Sequence, residues 1–477
     1  MTEPLWTPLW TWSDLVAASG GTADGVPSQS INGFSIDTRT LRPGDVFVAL
    51  KDQRDGHDFV TNAFKAGAAA ALVSAAYQRH PEDGALIRVG EPLQALEQAG
   101  IAARARLSPH ARVIAVTGSA GKTGTKEMLR ACCMRLGKVH ASEKSYNNHW
   151  GVPLTLARMP ADTQYAVFEI GMNHADEIRP LAKMVRPHAA IITTVEAVHL
   201  EHFASVEGIA DAKAEIFEGL LPGGAAIIKR DNPHFDRLRL SARAHAANVI
   251  SFGLGPDASI SAENCVLDHD GSEITARLGS RRIAYRLAMP GRHVAENSLA
   301  VAAALHAIGA DVETAISALA ALVPPSGRGA RTLLTLHGGQ VLLIDESYNA
   351  NPASIRAALT TLGAVPRAKF ARRIVVLGDM LELGPEAAAL HTGLADAVVE
   401  AGTDIIFACG PHMKGLYDAM PSAMKGGYTA SASALETPLV EVLRAGDAVM
   451  IKGSNGTRLG PLVEKLKTRF QSKAASA

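Results

Sequence analysis

The chain has 477 residues, which at roughly 150 residues per domain predicts about three domains. Lys plus Arg (47) balance Asp plus Glu (47), so the net charge is zero, which argues against a protein held on a polyanion by bulk charge. Hydrophobic residues at 47% and charged residues at 20% exclude a disordered chain, and the aromatic-poor, aliphatic make-up suits helices packed on parallel sheets.

The first hundred residues mix short strands and helices. "SIDTRTLRPGDVFVAL" (35–50) ends in an alternating apolar run after a Pro-Gly turn. "FVTNAFKAGAAAALVS" (59–74) reads as helix, Gly break and buried strand, and 93–107 as a linking helix halted by Ser108-Pro109. In the second block, "RVIAVTGSAGKTGTKEMLRACCMRLGK" reads as strand, Gly-rich turn and helix, with Met128, Leu129, Cys132, Cys133 and Leu136 at helical spacing up to Gly137. "YAVFEI" (165–170), "AAIITTV" (189–195) and "GAAIIK" (224–229) predict buried strands. Between 251 and 290 short alternating segments predict an antiparallel patch at the sheet edge, and "HVAENSLAVAAALHAIG" returns to helix. After Pro324-Pro325 come strands "VLLID" (341–345), "RRIVVLGD" (372–379), "DIIFACG" (404–410) and "AVMIKGS" (448–454), separated by helices. This alternation predicts a parallel sheet with ligands at the strand ends marked by Asp345, Asp379, Gly410 and Gly453.

The four cysteines form no C-x-x-C pair, so neither a disulfide scaffold nor a zinc site is expected. Residues 1–12 hold no basic region followed by an apolar one and do not read as a signal peptide, and no apolar run approaches the ~20 residues of a membrane span, so a cytoplasmic protein is expected.

The strongest chemical signal is "TGSAGKT" (117–123) between a strand and a helix. Glycines turn backbone N–H groups toward phosphate oxygens, and the helix N-terminus adds positive potential. Gly118, Ser119, Ala120, Gly121, Lys122, Thr123 and Gly124 are the candidate phosphate-binding residues, with Lys122 on the β- and γ-phosphates and the Thr123 hydroxyl on Mg²⁺. The spacing is shorter than the usual G-x-x-x-x-G-K-[ST], since Val116 stands at its first glycine; the alternative is a Gly-rich surface turn. Glu169, ending a buried strand, suits Mg²⁺, directly or through water. His199 follows another strand; a lone His there is as readily structural as a ligand. Lys213 lies in a helix with an Ile209, Ile216 and Leu220 stripe and reads, from the pattern alone, as a solvated residue, with Asp211 and Glu215 at hand for ordinary helix pairs. "SYNNHWGVPLTLA" (145–157) is either a substrate-contacting loop or a turn satisfying its own backbone. "PPSGRGAR" is either a flexible linker or the carrier of an Arg, Arg328 or Arg331, that reaches a γ-phosphate on domain closure.

Taken in order, "SIDTRTLRPGDVFVAL", "DGHDFV", "TGSAGKTGTKEML", "NNHWGVPLTL", "FEIGMNHADEI", "HLEHF", "DAKAEIF", "GRHVAENSLAV", "DESYNANPAS", "GDMLELG" and "KGSNGTR" resemble the Mur ligases, ATP-dependent amide-bond-forming enzymes of bacterial peptidoglycan precursor synthesis, over nearly the whole chain. "DESYNANP" and "GDMLELG" look like the member that adds D-alanyl-D-alanine to a UDP-N-acetylmuramoyl-tripeptide. The resemblance implies an α/β protein of three domains: 1–100 binding the uridine nucleotide, 101–327 a central P-loop ATPase domain with a mostly parallel sheet, and 328–477 a Rossmann-like domain. It implies ATP, one or two Mg²⁺ ions, no nucleic-acid partner and a monomer. It makes Lys122, Lys213, His199 and Arg328 catalytic. Thr123, Glu169, His199 and a carbamylated Lys213 become the metal ligands. Asn297, Arg328, Asp345, Tyr348 and Asn351 fall near the nucleotide. Ser35, Asp37, Thr38, Arg39, Asp55, Gly56, His57, Phe59, Asn147 and Asn148 fall on the uridine-nucleotide substrate, and Lys452 and Ser454 near the incoming dipeptide. Gly124 departs from the family, where many members carry Thr or Ser. A sister ligase adding a diamino acid, a folylpolyglutamate synthetase (against which the first domain argues) and a non-ligase P-loop NTPase are the competing expectations.

Overall fold

A computed structural model describes residues 8–471 apart from 144 and 199. Three sheets follow one another along the chain. The first holds β1 (Thr22–Asp24), β2 (Gly33–Ser35), β3 (Asp45–Val48), β4 (Ala70–Ser74) and β5 (Ala85–Val89), in the order β1-β5-β4-β3-β2, parallel except for β1.

The second sheet has nine strands: β6 (Arg112–Thr117), β7 (Val139–Ala141), β8 (Tyr165–Glu169), β9 (Ala189–Ile192), β10 (Ala225–Lys229), β11 (Asn248–Gly253), β12 (Ile260–Asp268), β13 (Gly271–Leu278) and β14 (Arg281–Leu287). Their order is β14-β13-β12-β11-β10-β9-β6-β8-β7. Strands β7 to β11 run parallel with β6, and β12, β13 and β14 form the antiparallel edge expected between 251 and 290. The chain leaves β6 toward β8 and β7 on one side and returns to β9 on the other, so the sheet reverses direction beside β6. A crevice opens at the strand ends of such a reversal. Both faces of β6 are covered: Ile114 and Val116 join one core, Val113 and Ala115 the other. A strand buried on both faces needs an unbroken apolar run, which explains "RVIAV".

The third sheet holds β15 (Ala330–Leu336), β16 (Gly339–Glu346), β17 (Arg372–Gly378), β18 (Ile405–Cys409), β19 (Lys425–Thr429) and β20 (Asp447–Lys452), ordered β15-β16-β20-β17-β18-β19 and parallel except for β15.

Two sequence expectations are corrected. The strand expected over 189–195 ends at Ile192, because Thr193 and Thr194 turn their hydroxyls to the Ala120 carbonyl and to Glu196. The helix carrying Lys213 ends at Ala214 and tightens into a 3₁₀ turn over Glu215–Gly219, leaving Leu220 outside it. No helix among the described residues is long and apolar enough to cross a membrane.

Candidate active site

The loop after β6 departs from regular backbone at Gly118 (φ +147°) and Gly121 (φ +81°). A Cβ at Gly118 would collide with the Thr193 hydroxyl, and one at Gly121 would sit 2.5 Å from Asn297 Nδ2. Both positions therefore demand glycine for space as well as for torsion. Thr193 Oγ1 donates to Ala120 O (2.5 Å) and Thr117 O (3.2 Å). Ser119 Oγ donates to Glu196 O (3.1 Å) and accepts from Glu196 N (2.9 Å), and Asn232 Nδ2 donates to Val195 O (3.0 Å), so the loop after β9 braces the glycine-rich loop after β6. Helix Lys122–Met134 starts at Gly121 without a side-chain cap. Its first N–H groups have no intrahelical acceptor, which suits an anion.

Lys122 Nζ donates to Gly118 O at 2.6 Å. Burial lowers its pKa most, the Glu169 carboxylate opposes, and the Arg328 charge lowers it further. Thr123 Oγ1 donates to Glu169 Oε2 (2.7 Å) and Asn147 Nδ2 to Glu169 Oε1 (2.7 Å), so a carboxylate only 1% exposed has a partner on each oxygen.

Lys213 corrects its sequence reading as a solvated helix residue. It is 2% exposed, and its pKa lies well below a lysine's usual value, through burial first and the Lys122 charge second. The neighbours expected to pair with it are taken: Asp211 by Arg237, and Glu215 by the Asp176 and Arg179 amides. His199 lies outside the described residues. Among the described residues no group of three or more His, Cys, Asp and Glu gathers around a common point.

A cleft of about 290 Å³ runs from this loop to the third sheet, lined by Ser119, Ala120, Gly121, Gly124, Asn297, Arg328, Asn351 and Lys452 among others. The segment expected to be either a linker or an arginine carrier is firmly seated. Gly327 N donates to Asp345 Oδ2 (2.8 Å) and Gly329 N to Asp345 O (2.8 Å). The Arg328 guanidinium stacks 4.2 Å from the Tyr348 ring centroid and donates to Ser145 Oγ at 3.2 Å. Asp345 itself is absent from the cleft wall: it is buried, and Ser347 and Gly327 occupy its carboxylate. Asn351 caps the helix Pro352–Gly363. Lys452 is 3% exposed and donates to Asn349 O (3.0 Å) and toward Glu346 (3.4 Å). Ser454 Oγ accepts from Leu381 N (3.0 Å), outside the cleft lining.

The first-domain residues gather apart from the cleft. Ser35 Oγ donates to Asp37 O (2.9 Å), and Asp37 holds the exposed Arg39 through two side-chain nitrogens. Thr38 sits half-buried in the same turn. Asp55 caps the turn Gly56–Phe59 and pairs with His57 Nδ1 (2.6 Å), while His57 Nε2 accepts from Ser74 N (2.9 Å). Nδ1 therefore carries the proton. Asn148 Oδ1 accepts from Gly151 N (2.9 Å), which is the self-satisfying turn, whereas Asn147 reaches the carboxylate.

Sequence reading overlooked Thr193, Glu196, Lys229, Glu296 and Glu346. Lys229 Nζ donates to Glu296 Oε2 at 2.6 Å on the cleft wall. The signal was available: each of Thr193, Lys229 and Glu346 lies at the carboxyl end of a parallel strand.

Family profiles match in three stretches: "Mur ligase family, catalytic domain" over 30–143, "Mur ligase middle domain" over 116–305, and "Mur ligase, glutamate ligase domain" over 331–455. The UDP-N-acetylmuramoyl-tripeptide–D-alanyl-D-alanine ligase of Rickettsia prowazekii is 32% identical over 92% of this chain and 95% of its own. The chain belongs to the Mur ligase family. The ligase of the same name from Escherichia coli is 36% identical over 92% of this chain and 94% of its own. Among solved Mur ligases, MurF of Acinetobacter baumannii superposes with a TM-score of 0.83 at 30% identity, over 97% of this chain and all of its own. MurF of Thermotoga maritima, solved in complex with ADP, shares the fold at a TM-score of 0.77 and 23% identity, over 93% of this chain and 99% of its own.

Proposed function

We propose that this Mur ligase joins D-alanyl-D-alanine to the terminal carboxylate of a UDP-N-acetylmuramoyl-tripeptide at the expense of ATP. The observation that carries the reading is the cleft that places Arg328 opposite the turn of Ser119, Ala120 and Gly121, in a chain matched over 92% of its length by relatives named for that reaction. The division of labour is 1–100 for the uridine nucleotide, 101–327 for ATP and 328–477 for closure.

The uncapped helix start, the Gly118 and Gly121 cradle and two cations fit a triphosphate. Attack of the tripeptide carboxylate on the γ-phosphorus releases ADP and leaves an acyl phosphate. The dipeptide amine then attacks the acyl carbon, phosphate departs and the amine loses a proton. Two anions meet in the first step, and Lys122 and Arg328 offset their repulsion. The Thr123 hydroxyl and the Glu169 carboxylate form the oxygen donor set that Mg²⁺ prefers, and the ion, when bound, screens the phosphate charge. Lys213 is held where a neutral amine is favoured. Reaction with carbon dioxide gives a carbamate and a proton, and so a further anion at the site. Closure of the third domain over the cleft would exclude water from the acyl phosphate.

The test is ADP release with the uridine-nucleotide tripeptide, with and without D-alanyl-D-alanine. Dipeptide-dependent release that disappears in Lys122→Ala is expected. Turnover independent of dipeptide would favour an NTPase and overturn the ligase.

A further inference from the structure

We propose that Arg158 is a positioning residue for the uridine-nucleotide substrate, holding the substrate loop of the first sheet in fixed register with the phosphate loop of the second. This rests on the reading of residues 1–100 as the nucleotide-substrate domain.

The link between the two sites is the helix Gly151–Ala157, all seven residues of which are buried. At its upstream end Asn147 donates to Glu169, Gly171 N donates to Asn147 O at 2.7 Å, and Asn148 receives the helix's first amide. Glu169 in turn accepts from Thr123 of the phosphate loop. Immediately downstream, Arg158 Nε and Nη2 both donate to Phe34 O, at 2.8 and 2.5 Å. Phe34 lies in β2, one residue before Ser35, and the Ser35 hydroxyl bonds both the carbonyl and the amide of Asp37. That turn presents Asp37, Thr38 and Arg39.

The guanidinium is fixed from its other sides too. It lies 3.4 Å from Glu143 and 6.0 Å from the Tyr146 ring centroid, and its charge works against the burial that raises the Asp45 pKa. Other side chains tie the same two sheets together: Trp10 Nε1 to Ala157 O (2.9 Å), Arg106 to Leu9 O and Met159 O, and Arg104 to Val185 O. Of these donors, Arg158 is the one that grips the strand leading into the substrate loop.

The register has chemical weight. A substrate anchored by its uridine end must deliver its far carboxylate to Lys122, and a misplacement near 1 Å is enough to cost about 100-fold in rate. Arg158 touches no reacting atom in this scheme; it acts through β2.

The experiment uses the full chain with three variants: Arg158→Met, which keeps the apolar stem and removes every donor; Arg158→Lys, which keeps one; and Trp10→Phe, which weakens the same seam away from the loop. Isothermal titration measures UDP-N-acetylmuramoyl-tripeptide and ADP separately, and steady-state kinetics gives KM and kcat. Arg158→Met is expected to raise Kd and KM for the uridine nucleotide at least tenfold, about 1.4 kcal/mol, with ADP affinity unchanged. Arg158→Lys recovers part of the loss and carries the test should Arg158→Met not fold. Trp10→Phe lowers Tm and leaves Kd in place. Uridine-nucleotide affinity within twofold of wild type in both Arg158 variants overturns the proposal, as does a Trp10→Phe variant with the same Kd as Arg158→Met. Wild-type protein that binds ADP and ignores the uridine nucleotide overturns the reading of the first domain instead.

Discussion

Thr193→Val isolates the contribution of one hydroxyl to the phosphate loop. Valine reproduces the shape of threonine and removes its only side-chain donor. Thr193 is 1% exposed, and its Oγ1 serves Ala120 O and Thr117 O, so valine leaves a buried carbonyl without this partner. The net loss of such a bond is about 1 kcal/mol, rising to about 3 kcal/mol when the orphaned group stays dry. Ala120 belongs to the loop that would cradle the phosphates, so the penalty falls on the bound conformation. ADP affinity should drop about 5- to 150-fold, the same energies expressed as a binding ratio. Isothermal titration with ADP and Mg²⁺ reads this directly, and Thr193→Ser, which keeps the hydroxyl, should remain near wild type. A Thr193→Val protein with lowered Tm and an ADP Kd within twofold of wild type would refute the reasoning, because the hydroxyl would then serve folding alone.

Asn147→Ala removes the partner of Glu169 Oε1 and should weaken Mg²⁺ dependence about 10- to 100-fold, as loss of a group that orients a metal ligand does; a Mg²⁺ titration of ADP release unchanged from wild type would count against it. His140 and His188 each have their pKa lowered to about 4, by burial in both cases and, at His188, by Arg104 and Arg112 as well. The unfolded chain binds these protons near pH 6.5 and the folded chain does not, so their stabilisation is complete above that value. It falls away toward pH 4, by about 1.4 kcal/mol per pH unit for each histidine. Tm measured from pH 7.5 to 4.5 should fall increasingly steeply below 6.5. His188→Asn keeps an acceptor for Val113 N and should flatten the slope, and a slope identical to wild type would contradict the assignment.

The parts of the fold legible in the sequence are those under the strongest physical constraint. Strands β6, β8, β17 and β20 are buried on both faces and so spell continuous apolar runs. Strands β1, β2 and β7 have three residues each, too few to show a period. Strand β15 is a half-exposed edge, and β19 carries Gly426-Gly427 in its middle, which reads as a turn. The turn from Gly118 to Gly121 was legible because its glycines stand between an apolar strand and a helix of regular spacing. Lys213 was illegible from the pattern, since nothing in a helical stripe says that a lysine at its margin is buried and feels the charge of a second lysine. Asp345 reads differently in sequence and in structure: an acidic strand end suggests a ligand, whereas in the structure its carboxylate accepts from Gly327 N, Ser347 N and the Ser347 hydroxyl.

Asp345 has one more effect. By clasping Gly327 and Gly329 it makes Arg328 a passenger of the third sheet. Any displacement of that sheet would carry the guanidinium with it and relieve the repulsion it exerts on the Lys122 ammonium, the smaller of the two influences that lower the Lys122 pKa. The placement of the third sheet is thus tied to proton affinity at Lys122 through a single arginine.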